Sequence, residues 1–106
     1  MPAPSKSTVI IKATFKPNGM NTPEFKEYSR RSNANGEANG GEVRGKYRIS
    51  ENLTGGETPH LIFIIEYPTA ESARNTFTNK EYQSLLPLRS IAFQEVEVFI
   101  ANPMAI

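Results

Sequence analysis

Residues 62–89 read IFIIEYPTAESARNTFTNKEYQSLLPLR. Ile62 to Ile65 are apolar without alternation, the pattern of a strand covered on both faces. Pro68 ends that strand, because proline has no amide hydrogen to give to a ladder. Thr69 then offers a hydroxyl N-cap. A helix is predicted over 70–78, with Ala70, Ala73 and Phe77 on its inner stripe. Asn79 caps a second, shorter helix that carries Tyr82, Leu85 and Leu86 and that Pro87 is expected to close. A buried central strand followed by two short capped helices defines a fold class without naming a reaction.

The flanking chain supplies the other elements. Residues 8–16, TVIIKATFK, are rich in β-branched residues. Val9, Ile11, Ala13 and Phe15 share one face of this first strand, and Ile10, Lys12 and Thr14 share the other. Thr22-Pro23 is a capped helix start with proline at the first helical position, and helix one is predicted from Pro23 to about Asn35, with an extension to Asn39 left open. Gly40-Gly41 ends it. In strand two, 42–50, Val43, Gly45, Tyr47 and Ile49 alternate with Glu42, Arg44, Lys46 and Arg48. Those charges suit a sheet edge, where they block unwanted pairing. Strand three is placed at 60–67 and strand four at about 92–101. The order βαββαβ predicts an α+β, ferredoxin-like sandwich. It has a four-stranded antiparallel sheet in spatial order 4-1-3-2 and two helices on one face.

One domain over residues 1–106 suits this length, with 1–7 as a flexible leading segment and the tail 102–106 loose or packed on a neighbour. Twelve basic residues against 11 acidic give a net charge of +1, too little to attract nucleic acid or an anionic membrane. The chain has no cysteine, which excludes disulfides, thiolate catalysis and cysteine-ligated metals. The longest apolar run, 61–65, falls far short of the ~20 residues of a membrane span. A soluble, cytoplasmic protein without a cofactor is expected. Strand three lacks the glycine-spaced aromatics with which an RNA recognition motif of the same topology stacks bases. Gly40-Gly41 and Gly55-Gly56 are isolated pairs, without the spacing of a phosphate loop.

The second face of the sheet carries Ile10, Lys12 and Thr14, or their complement, from strand one and alternate apolar residues from strand three, so the sheet is apolar on both faces, whereas helices cover one. The uncovered apolar face predicts a homodimer with sheets packed face to face, its register set by Glu95 and Glu97 against Lys12, Arg44 or Lys46.

Glu66-Tyr-Pro-Thr-x-Glu-x-Ala73, followed by Asn79-Lys-Glu-Tyr-Gln-x-Leu-x-Pro-Leu-Arg89, resembles the family of domain of unknown function 1330. Gly40-Gly41 ahead of strand two is similar to that family's glycine pair. Lys80 stands where the family usually has proline, and the polar stretch 33–39 also departs from it. The resemblance spans Val9 to Ile100. It implies a dimeric α+β barrel, a group that includes antibiotic-biosynthesis-type monooxygenases and muconolactone-isomerase-like proteins. A small-molecule cavity between helices and sheet, in a binding protein or a cofactor-free monooxygenase- or isomerase-like enzyme, is the site such a fold would offer; the alternative is a non-catalytic binding or interaction module with no ligand cavity.

Several residues are candidates for that cavity. The inner stripe of helix one runs Phe25, Tyr28, Ser32, Asn35, Asn39, and turns polar halfway. Either its far end lines a polar cavity, or the helix stops near Asn33 and the rest is surface loop. Arg89 is placed near the cavity mouth, where a guanidinium could hold a carboxylate or enolate. The alternatives are an ion pair with Glu66 or a helix-end contact. Glu66, if it faces inward, would have a raised pKa and could act as a base; otherwise it pairs with a cation. His60, the one histidine, has no partner for a metal site or triad and is either a strand-end residue or a general base. Tyr82 and Tyr47 could orient a ligand through their hydroxyls, although Tyr82 also fits the helix–sheet core.

Overall fold

Strand β1 (Ser7–Phe15) is paired on both sides, antiparallel to β3 (Leu61–Tyr67) and to β4 (Phe93–Ala101). The edge strand β2 (Glu42–Arg48) joins the far side of β3, which gives the order β2-β3-β1-β4. Helix α1 (Pro23–Ala38) links β1 to β2. Helices α2 (Ala70–Thr78) and α3 (Lys80–Ala92) link β3 to β4. This is the predicted ferredoxin-like topology, with three helices in two connections. The computed structural model describes residues 6–104. Positions 1–5 of the leading segment and 105–106 of the tail lie outside the described residues. Ser7 belongs to β1 and is buried, so the leading segment is shorter than the sequence suggested.

Register decides which side chains meet the helices. Val9 lies opposite Ile65, Ile11 opposite Phe63 and Val98, and Ala13 opposite Leu61 and Val96. These pairs lie under the helices, where Val9, Ala13, Phe15, Tyr67, Ala73, Leu85, Ala92 and Phe93 are buried. Each large apolar side chain withdrawn from water here contributes about 1.5–3 kcal/mol. The other face carries Ile10 opposite Ile64 and Phe99, and Lys12 opposite Ile62 and Glu97.

Strand β2 departs from simple alternation. Its pairing with β3 shifts between Val43 and Gly45, leaving Arg44 as an extra residue. A bulge re-aims everything beyond it. Gly45 and Tyr47 therefore lie opposite Ile64 and Ile62 on the open face, while Lys46 lies opposite Phe63 on the helix side. The even alternation expected from sequence placed Val43 with Gly45, and Arg44 with Lys46. The bulge separates both pairs.

The helix ends are built as their sequences suggest, with one exception. The Thr22 hydroxyl accepts from the Phe25 amide at 3.1 Å, Thr69 forms a capping box with Ser72, and Asn79 accepts from the Tyr82 amide at 2.9 Å. Gly40, at φ 84°, provides the left-handed turn after α1. Gly41 must lack a side chain because a Cβ there would lie 2.9 Å from the Tyr67 ring. The exception is Pro87, which lies inside α3 and does not close it. The bond it forfeits is to the carbonyl of Gln83. Both residues are on the exposed side, where water can take the acceptor. Leu88 and Arg89 are thus helical.

Helix α1 runs to Ala38 with Asn39 as its C-cap, the extension that the sequence left open. Its polar end is neither surface loop nor cavity wall throughout. Asn35 is buried, donates Nδ2 to the Thr76 carbonyl at 2.8 Å, and accepts from Asn79 Nδ2 at 2.8 Å. Asn39 donates to the Asn35 carbonyl and accepts from Asn75. Four asparagines thus tie α1 to α2 and the α3 cap. Truncating Asn35 leaves the Thr76 carbonyl and the Asn79 amide short of a partner. We expect Asn35→Ala to lower stability in urea denaturation by about 1–3 kcal/mol. Asn33→Ala, at an exposed position, should change it by less than ~0.5 kcal/mol. Equal effects of the two substitutions would remove the asparagine network as the reason α1 stays helical to Ala38.

Candidate functional site

A chain of aromatic rings runs beneath the helices. Phe15 stacks on Phe93 at 4.7 Å between ring centroids, Phe93 meets Tyr28 edge-on, Tyr28 meets Tyr82, Tyr82 meets Phe77, and Phe77 meets Tyr67. Above these rings, between α1 and the sheet, lies a cavity of about 240 Å³. Its floor is apolar, with Ile11, Phe63, Ile65 and Val96 from the sheet. Helix α1 contributes Tyr28, Ser29, Ser32, Asn33 and Glu37 along one side, and Lys46 from β2 stands opposite. The cavity opens where α1 fails to cover the edge strand, and Val43 there is 50% exposed.

The inner polar group is a relay of three side chains. Tyr28 Oη and Tyr82 Oη are 2.8 Å apart, and Arg89 Nη1 donates to Tyr82 Oη at 3.2 Å. The Arg89 guanidinium also lies 5.9 Å from the centre of the Tyr82 ring. Tyr82 and Arg89 are seven residues apart, two turns of one helix, so the uninterrupted α3 puts them on one face. Burial, and then the adjacent Tyr82, push the Tyr28 phenol far above the ordinary tyrosine range, and Arg89 offsets this only in part. Tyr28 is therefore a hydrogen-bond donor that keeps its proton. With Arg89 occupying a lone pair of Tyr82, the two hydroxyls share one hydrogen between them and have another to offer to the cavity.

Of the residues singled out from sequence, Tyr82 and Ser32 line this cavity. Arg89 does not line it and reaches it through Tyr82. Asn35 lies behind α1 in the asparagine network, so its amide is committed to helix packing. Glu66 is on the opposite face of the sheet, where it accepts from Arg44 at 2.8 Å and Lys6 at 3.3 Å. Those cations hold its carboxyl below the usual range, Arg44 having the larger effect. It pairs neither with Arg89 nor with the cavity. His60 accepts from the Phe15 amide through Nδ1 at 3.0 Å and stacks on the Phe15 ring. That bond places its proton on Nε2 and makes it a strand-end anchor away from the cavity. Tyr47 is on the open face, 55% exposed. Sequence reasoning missed Ser29, Asn33, Glu37 and Lys46 as cavity residues and took Tyr28 only as an apolar member of its stripe. The position of Tyr28 on that stripe was the available signal; the bulge that turns Lys46 inward has none beyond Gly45. Among the described residues no cluster of three histidines or carboxylates could hold a metal ion, and no helix is long and apolar enough to cross a membrane.

Sheet order, helix placement and cavity define an α+β protein of the ferredoxin-like class. Residues 15–103 match domain of unknown function 1330 (DUF1330), and the chain belongs to that family. It is similar to a protein of unknown function from Rhodopseudomonas palustris, at 19% identity and TM-score 0.77, over 94% of this chain and 83% of that one. A dimeric protein of unknown function with a ferredoxin-like fold from Bacteroides fragilis superposes at TM-score 0.59 and 11% identity, covering 91% and 94%. A protein from Nitrosomonas europaea provisionally assigned as an antibiotic biosynthesis monooxygenase does so at 0.62 and 14%, covering 95% and 100%. No curated protein matches the chain.

The Glu66 pairing carries a direct test. In Arg44→Ala the carboxyl should titrate nearer its ordinary value. A depressed carboxylate contributes stability above its unfolded pKa and loses it as pH falls through the folded pKa. That contribution should therefore be smaller in the variant, and its loss on acidification complete at a higher pH. Carboxyl-detected NMR titration reads this shift, and an unchanged Glu66 curve would show that Arg44 does not set it.

Proposed function

We propose that the protein binds a small oxygenated organic molecule in the cavity between α1 and the sheet, one per subunit, and works as a homodimer of cytoplasmic subunits. The observation that carries the binding reading is the Tyr28–Tyr82–Arg89 relay facing an apolar cavity. The volume lies just under the ~300 Å³ at which drug-sized sites begin, which suits a compact ligand. Apolar walls favour a ring or short chain, and a donor held protonated favours a carbonyl, enolate or phenolate oxygen. The same donors could stabilise an oxyanion in a cofactor-free monooxygenase- or isomerase-like reaction. Among the described residues the lining includes one carboxylate, Glu37 at the rim, and no histidine. These lining residues supply no inner general base, and the cavity chemistry favours binding.

The dimer rests on the open face. Ile10, Ile62, Ile64, Tyr47 and Phe99 form an apolar field there, with Phe99 43% exposed. A second sheet packed on this field would bury it. The Bacteroides fragilis protein of the same fold is described as dimeric, which supports the reading.

Two measurements test these proposals. Amide chemical shifts on adding 1-tetralone should move around Tyr28, Ser32 and Phe63. Tetralin, which lacks the ketone, should bind more weakly, and Tyr28→Phe should remove most of the difference. The lost hydrogen bond corresponds to about 0.5–1.5 kcal/mol, or roughly two- to tenfold in Kd. Shifts confined to the outer surface would exclude the cavity as the site. Light scattering should give twice the 11.8 kDa chain mass, falling to one chain in Ile64→Lys. A wild-type monomer would contradict the dimer.

A further inference from the structure

The bulge in β2 has a consequence for what the cavity takes. Without it, Lys46 would share a face with Arg44 and lie on the open side. With it, Lys46 lies opposite Phe63 and lines the cavity. Bulges commonly serve to re-aim a side chain beside a functional site. Arg44 is occupied by Glu66 and Glu42, at 2.8 and 2.7 Å, whereas Lys46 makes no ion pair among the described residues. Arg48, two residues on, shares the helix side of β2 with Lys46 and touches the Met20 sulfur.

The polar lining holds the one hydrogen left by the Tyr28–Tyr82 pair inside, the Ser29, Ser32 and Asn33 side chains along α1, which donate or accept, and the Lys46 ammonium at the rim. Glu37 is the opposing charge. It lies on the regular course of α1 and needs no irregularity to reach the rim, unlike Lys46. We infer that the cavity selects an apolar molecule with an oxygen at each end, a carbonyl-type oxygen toward Tyr28 and a carboxylate held by Lys46 at the mouth. This rests on the binding reading above and specifies its ligand class as oxo or hydroxy acids with an apolar body. The Lys46 contact is solvent-exposed, so it sets preference among ligands more than overall affinity.

Isothermal titration with three molecules of one skeleton tests this: 6-carboxy-1-tetralone, its methyl ester and the corresponding 6-aminomethyl ketone. The carboxylate is expected to bind about fivefold more tightly than the ester, the upper range for one exposed ion pair. High salt should erase that preference. Lys46→Gln should erase it too, with carboxylate and ester compared within the variant. A preference that survives in Lys46→Gln, or tighter binding of the amine that depends on Glu37, overturns the inference while the cavity reading stands. Failure of all three to bind overturns both. An unchanged amide NMR spectrum away from the cavity shows that Lys46→Gln is folded.

Discussion

The helix layer is narrower than the sheet it rests on, and most of the molecule follows from that. Three helices lie over β3, β1 and β4, and the edge strand β2 is left bare on both sides. The uncovered strip beside α1 becomes the cavity mouth. The face turned away from the helices has no cover within one chain, yet its central residues are isoleucines. A strand such as β3, apolar on both faces at its centre, loses stability if either face stays in water, at about 25 cal/mol for each Å² left exposed. One face is buried by helices, and the other calls for a partner surface.

Within the helix layer, polar groups do two kinds of work. Asn35, Asn39, Asn75 and Asn79 hold helices together, and no buried side-chain nitrogen or oxygen among the described residues lacks a partner. Their amides are fully committed to one another and to backbone, so they have little left for a ligand. Tyr28, Tyr82 and Arg89 differ in that their last donor faces open space. Aromatic packing on both sides of this relay fixes where the two hydroxyl oxygens lie. Fixed donors cost little reorganisation when a ligand oxygen arrives.

Sequence reasoning found the scaffold because its signals are local: Thr22, Thr69 and Asn79 as caps, Pro68 as a stop, and the alternation of β1. Strand order followed from element order, and DUF1330 membership from the segment 66–89. The site was less legible. Helical spacing predicts the faces of Ser32, Tyr82 and Asn35, of which Ser32 and Tyr82 line the cavity while Asn35 bonds to α2 and Asn79, because a stripe does not say which neighbour it meets. Glu66 was ambiguous since parity alone cannot say which face of a sheet the helices cover. Proline chemistry predicts a helix end at Pro87, which hides the alignment of Arg89 with Tyr82 along one continuous helix. Lys46 was out of reach, because one extra residue in β2 reverses every side chain after it.

A crystal structure of the protein soaked with 1-tetralone would test the central claim most directly, since it reads the cavity and its donor in one measurement. The ketone oxygen should lie within hydrogen-bonding distance of Tyr28 Oη, with the ring system over Phe63 and Ile65 and the Tyr82–Arg89 contact intact. A cavity closed by its own side chains, or a ligand seated elsewhere with Tyr28 unengaged, would contradict it.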